Sequence, residues 1–210
     1  IVNVGSPEFP GKTYLLAAQT IGLSSKPLIT TIANLESQSE TGDTYIENMR
    51  PCQVGDVIHT GDPGLLAGGT VNLTCSSPVT VTESIEAASV TFLAADDDDD
   101  VGVDKADHLI VQENMWITAT AGSVTLHGGD DIYLKAGSKI VAATAVVLVA
   151  DFGNADDTDG SITIDRAIIE AGTFVDADAT GNILLVNDTS VTAGSDASFD
   201  AGGDFTIGMS

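Results

Sequence analysis

Two stretches gather the side chains that could bind a ligand or do chemistry. The first, "LAADDDDDVGVDKAD", runs from Leu93 to Asp107 and holds five adjacent aspartates. The second is "DFGNADDTDGS", beginning at Asp151. Adjacent carboxylates repel one another, so such a run serves as a cation site, as a catalytic carboxylate cluster, or as a solvated corner between strands. Calcium takes roughly six to eight oxygens from carboxylates, Asn side chains and backbone carbonyls. Asp96, Asp98, Asp100 and Asp104 in the first stretch are the candidate ligands there, and Asp151, Asn154, Asp156, Asp157 and Asp159 are those of the second. Ca²⁺ is the one cofactor the sequence suggests. The second stretch does not fit a helix–loop–helix calcium loop. With Gly160 at the glycine position of that loop, its first ligand falls on Ala155 and its last on Arg166. "HGGDDIYL" and "AGGDFTIG" also lack the third glycine of the calcium-binding nonapeptide repeat. Any calcium site here is therefore irregular.

Catalytic readings find less support. Glycoside hydrolysis needs two carboxylates at a set separation in a cleft, and lyase chemistry needs a base with cationic groups around a developing carbanion. The chain has one Trp (Trp116), three Tyr, two Arg and five Lys, and its cations form no cluster. His59, His108 and His127 are isolated from one another, and no nucleophile elbow, phosphate loop or dinucleotide fingerprint occurs. The expectation is a protein that is not an enzyme. Met115 and Trp116 in "NMWITAT" read either as a ligand patch or as core. Asn72 and Asn187 head glycosylation sequons. Cys52 and Cys75 stand 23 positions apart. They suit a disulfide, a stacked pair, or two buried thiols, but not a zinc site.

Charge narrows the partners. Against 31 Asp and Glu stand 7 Lys and Arg, a formal net charge of −24. Such a surface repels nucleic acid and anionic membranes and attracts divalent cations. No run of about 18 apolar residues is present to span a bilayer. The chain begins and ends inside strand-like pattern and is expected to be a piece of something longer.

From about Leu28 the chain reads as a succession of short strands separated by Gly-Gly, Gly-Asp, Asn-Asp or Ala-Gly turns. "GKTYLLAAQTIGL", residues 11–23, fits a turn or two of helix as well as a strand. The segments at 67–81, 121–134 and 180–193 share one plan of glycine turn, strand, polar corner and strand. Ser123 and Ala145, 22 residues apart, each lead into an apolar strand. Self-similarity at about 20 residues points to stacked coils. The expected fold is all-β, a parallel β-helix over 28–210 preceded by a lead-in segment or linker over 1–27. The alternative is an antiparallel β-sandwich.

The run Gly122–Leu126, then Gly129–Leu134, Gly137, Ser138 and Ile140 resembles the degenerate coils of very large secreted adhesins of the filamentous-haemagglutinin type. So does "NLESQSETGDTYIEN" with the segments after it. The resemblance covers roughly residues 28 to 210. It implies a right-handed parallel β-helix and an extracellular, cell-surface fibre that mediates adhesion or builds matrix. Expected partners are further copies or further coils stacked end to end, and surface glycans. The runner-up role is a carbohydrate-binding module, which would expose Trp116 or tyrosines on a concave face.

Overall fold

Inward aliphatics alternate with outward polar residues over runs of three to seven positions, and each run becomes a short strand. The computed structural model describes residues 12–57, 63–95, 107–153 and 160–208. It opens with β1 (Lys12–Ala17), β2 (Leu28–Thr30) and β3 (Asn34–Ser39). A three-strand cycle then begins with β4 (Thr44–Asn48), β5 (Cys52–Val54) and β6 (Leu65–Ala67). It repeats as β7 (Thr70–Ser76), β8 (Val79–Val81) and β9 (Ile85–Ala87), then β10 (Ser89–Ala95), β11 (Leu109–Val111) and β12 (Trp116–Ala119). The next turns are β13 (Val124–Gly128), β14 (Ile132–Leu134) and β15 (Lys139–Ala142), then β16 (Val146–Val149), β17 (Ile162–Asp165) and β18 (Ile168–Ala171). The last are β19 (Phe174–Ala179), β20 (Ile183–Val186) and β21 (Ser190–Ala193), followed by β22 (Asp196–Ala201) and β23 (Phe205–Gly208).

Each strand between the two ends pairs with its equivalent one turn earlier and one turn later, and both sheets are wholly parallel. The eight-stranded sheet, from β2 through β22, is the first face. The 15-stranded sheet carries the other two, β5 through β23 on the second face and β6 through β21 on the third. β3 joins these, pairing with β5 through Asn34 and Leu35 and with β6 through Ser37 to Ser39. The chain thus climbs one strand spacing, about 4.8 Å, per coil. This is the expected parallel β-helix. The all-parallel pairing is incompatible with the antiparallel sandwich.

Register stacks like on like inside the coil. Val71, Val90, Val124, Val146 and Val175 form one column on the first face. Ile85, Ile117, Ile140 and Ile169 form another on the third, with Ala87, Ala119, Ala142 and Ala171 beside it. These side chains are essentially removed from water. A triangular interior this narrow has room for aliphatics but little else, which accounts for the 5% aromatic content. The corners are as tightly specified. A Cβ on Gly194 would run into the Gly172 carbonyl oxygen of the coil below. Only glycine lets the backbones approach there.

The segment that sequence left between helix and strand is a strand. β1 pairs in register with β3, from Lys12↔Asn34 to Ala17↔Ser39. Coil geometry therefore already holds inside the stretch set apart as a lead-in. Residues 1–11 lie outside the described residues.

Ile168 and Ile169 are neighbours on opposite sides of one strand, 38% and 0% exposed. Ile169→Ala is expected to cost about 2–5 kcal/mol by leaving a cavity in the isoleucine column. Ile168→Ala is expected to cost less than about 0.5 kcal/mol. Urea unfolding of the two variants measures the difference.

Candidate functional site

Both acidic stretches fall in the chain between strands of the first and second faces, at one corner of the rod. The first follows β10 and returns at Asp107 before β11; the second follows β16 and returns at Gly160 before β17. The strand between β10 and β16 is β13, so the two exits lie two strand spacings apart, about 10 Å. Asp96, Asp98, Asp100, Asp104, Asn154, Asp156, Asp157 and Asp159 lie outside the described residues. Asp151 is described, and so is the corner that anchors both insertions.

That corner is built from aspartates stacked by their backbones. The Asp130 N–H donates to the Asp107 carbonyl and the Asp151 N–H to the Asp130 carbonyl, each at 2.8 Å. Asp107, Asp130 and Asp151 are all buried. Asp151 holds the left-handed backbone conformation, φ 62°, which turns the chain off the first face. Gly160 closes the corner from above. A Cβ there would lie 2.6 Å from both the Asp130 carbonyl oxygen and the Asp151 nitrogen.

Asp131 organises the next layer. Its Oδ1 accepts the Ser161 N–H at 2.7 Å, and its Oδ2 accepts the Tyr133 hydroxyl at 2.8 Å. His108 Nδ1 sits 3.4 Å from the same Oδ2, an ion pair when the imidazole is protonated. The His108 ring also meets the edge of Tyr133. Burial, then the bond to Asp131, pushes the Tyr133 hydroxyl up to about 12. The same plan continues upward. Ser161 Oγ accepts the Asn182 N–H at 3.0 Å, and Asn182 Oδ1 accepts the Asp204 N–H at 2.7 Å. Each coil's polar side chain caps a backbone donor of the coil above.

Electrostatically this corner is the costly part of the rod. Burial pushes the Asp130 carboxyl up from its usual range, and the Asp107 N–H holds it back only in part. The negative charges of Asp107 and Asp131 add to the rise, and His108 opposes it. Beside the second insertion, His127 stacks on Phe152 with ring centroids 4.0 Å apart, and burial lowers its pKa. Among the described residues, no group hydrogen-bonds the buried Asp151 Oδ2. Among the described residues no group of three or more His, Cys, Asp or Glu is arranged to hold a metal ion. What the corner does chemically is bring the buried Asp107, Asp130 and Asp151 together beside the points where both Asp-rich stretches join the described strands, which makes the local field negative.

Cys52 and Cys75 are free and buried, and they belong to different columns. Cys52 pairs with Val79 on the second face, while Cys75 lies between Asn48 and Ala94 on the first. The thiols meet across the corner. The hydrogen bond between the two thiols, then burial, raises the Cys75 thiol well above its usual value.

A second carboxylate cluster escaped the sequence reading. Glu36 is buried and its Oε1 accepts the Val57 N–H at 2.5 Å. Glu83 Oε1 accepts the Asp56 N–H at 3.1 Å, and Lys12 pairs with Asp56 at 3.2 Å. Burial raises the Glu83 carboxyl, the Asp56 N–H opposes this, and the charges of Glu36 and Asp56 add to it. The available signal was the coil period itself, since Glu36, Asp56 and Glu83 recur about once per coil at one corner.

Trp116 is 55% exposed on the third face. The same face carries a groove of about 450 Å³ lined by Gln38, Glu40, Leu66, Glu86 and Thr120 among others.

The folded-state pKa of Asp130 lies above its unfolded value. The native state therefore binds this proton more readily, and its contribution rises as pH falls through the carboxylate range. Asp130→Asn is expected to raise stability near pH 7 and to reduce the gain seen between pH 6 and 4. Urea midpoints of wild type and variant across that range provide the comparison. Equal pH slopes would show that Asp130 carries no such strain.

No family model, no curated protein and no solved structure matches this chain.

Proposed function

We propose that the chain is a structural and adhesive component of an extracellular or cell-surface fibre. Its role is mechanical rather than catalytic. The observation that carries this reading is the in-register stacking of inward apolar residues from coil to coil, with runs of valine on valine and isoleucine on isoleucine, which makes a stiff, repetitive rod. The rod assembles by β-stacking. Recognition belongs to the loops, and both Asp-rich stretches join the strands at one corner. Ca²⁺ is the cation that would gather those carboxylates and relieve their repulsion. Electron microscopy of the purified protein in calcium and in chelator tests both parts. Elongated particles that join into filaments in calcium and separate in chelator are expected. Particles identical in both would remove the calcium role, and compact round particles would overturn the rod.

A second reading is a carbohydrate-binding module, favoured by Trp116 standing exposed on the face that carries the groove. An indole offers a flat apolar platform for a sugar ring, and Gln38, Glu40 and Glu86 offer acceptors for its hydroxyls. Trp116→Ala is then expected to abolish binding on a glycan array while leaving the thermal midpoint within a few degrees. Retained glycan binding would sink this reading.

A further inference from the structure

The chain's two cysteines stand on neighbouring columns at one corner, in successive coils. Cys75 stacks directly on Asn48 at the end of the first face, and Val79 stacks directly on Cys52 at the start of the second. Asn48 and Cys52 are four positions apart, and so are Cys75 and Val79. The two coils therefore turn the corner with the same number of residues, and one corner lies over the other. Cys52 and Cys75 occupy diagonal positions of the resulting square, offset along the rod by one strand spacing, about 4.8 Å.

The two columns touch across the corner. In the coils above, the first-face column continues as Ala94 and Gly128, and the second-face column as Leu109 and Ile132. A Cβ added to Gly128 would stand 3.2 Å from Ile132 Cγ1. Side chains at these positions thus point inward at one another. Cys52 and Cys75 are 3% and 0% exposed, and their thiols are hydrogen-bonded. Backbone bonds hold both in place. The Cys52 N–H donates to the Pro78 carbonyl at 3.0 Å, which ties the lower corner to the upper one. Beneath Cys75, the Asn48 amide donates to the Ile32 and Arg50 carbonyls at 2.9 and 2.8 Å.

We propose that Cys52 and Cys75 form a cross-linking site, which closes to a disulfide in an oxidising compartment and rivets the coil of β4–β6 to the coil of β7–β9. The oxidant is a small organic disulfide. One cysteine, as its thiolate, attacks a sulfur of that disulfide and expels a thiolate. The other cysteine then attacks the protein sulfur of the mixed disulfide and expels the second thiolate. The two cysteine protons end on the two expelled thiolates. The protein is thereby oxidised by two electrons, and the small disulfide is reduced to two thiols. The Cys75 thiol, held protonated by its bond to Cys52 and by burial, reacts as the chain folds or when the corner opens. The finished bond lies in the core, out of reach of reductants. It closes a loop that contains β6 and restricts the unfolded chain. It also adds a covalent tie at a boundary otherwise held by backbone ladders. The inference stands independently of the fibre reading.

Glutathione redox buffers test it. Reduced protein is equilibrated with graded ratios of reduced and oxidised glutathione, both in buffer and in concentrated urea. The products are quenched, alkylated and weighed by mass spectrometry. The oxidised product is expected to be a monomer two hydrogens lighter, with no alkylatable thiol and no glutathione attached. The dithiol–disulfide equilibrium constant is expected to be roughly a hundredfold larger in buffer than in urea, because the folded corner holds the thiols together. The oxidised protein is expected to unfold at a higher urea concentration than the reduced one, and Cys75→Ala to lose that dependence on redox state. A constant no larger in buffer than in urea would overturn the inference. So would a folded product that keeps both thiols, carries glutathione or forms intermolecular dimers. A Cys75→Ala midpoint that still rises with oxidised glutathione would overturn the assignment to this pair.

Discussion

Everything in this molecule follows from one packing constraint. Equivalent inward side chains in successive coils sit one strand spacing apart, so each is the floor on which the next must pack. Valine on valine and isoleucine on isoleucine satisfy this because identical shapes nest at a fixed offset. Phe92, buried in the column between Leu73 and Leu126, shows how sparingly the interior admits a ring. The corners obey the same rule in backbone form, since Gly172 and Gly194 let one coil lie directly on the last. Extra residues cannot enter the strands without shifting register and turning inward residues outward. They can only be added at a corner, and both acidic stretches are flanked by the strands of one corner.

That corner shows how the rod manages its charge. Most of its carboxylates stand on the outside, where water screens them. Some polar side chains at the corners instead serve the backbone. Asp131 and Asn182 each cap a donor of the coil above, and Asp43 caps the Thr70 N–H at 2.7 Å. Asp130 and Glu83 carry the electrostatic cost of the same service, with burial and like charges working against them. The stacked aspartates are thus structural parts before they are anything else. Their negative field, added to that of the insertions, is what a cation would meet.

The coil plan was legible because two signals agree in the sequence. Alternation marked the strands, and the Gly122–Ile140 stretch displayed a whole coil at its unexpanded length. β1 was harder, since Leu15, Leu16 and Ala18 suit a helical turn as well as an extended strand, and only the pairing with β3 decides. The contacts between coils were the least legible part. Val124 to Val146 is a plain coil, but Val90 to Val124 contains an insertion, so sequence separation stops reporting spatial register. For that reason Cys52 and Cys75, 23 positions apart, suggested a column and instead face each other across a corner. The Glu36–Asp56–Glu83 cluster was hidden for a related reason. Nothing in an isolated glutamate tells that the chain one coil later will present a backbone N–H to it.

The direction of the hydrogen bonds gives the rod a mechanical character. In this architecture the strands run across the long axis, so the bonds between coils point along it. A pull on the two ends therefore loads the ladders of one coil boundary at a time, like opening a zip. Each coil that peels away would release between 19 residues (Val71 to Val90) and 34 residues (Val90 to Val124), roughly 65 to 115 Å of extended chain. The next boundary then meets the load with a fresh set of bonds. A tether built this way yields in steps and dissipates energy at each one, and its remaining length stays folded.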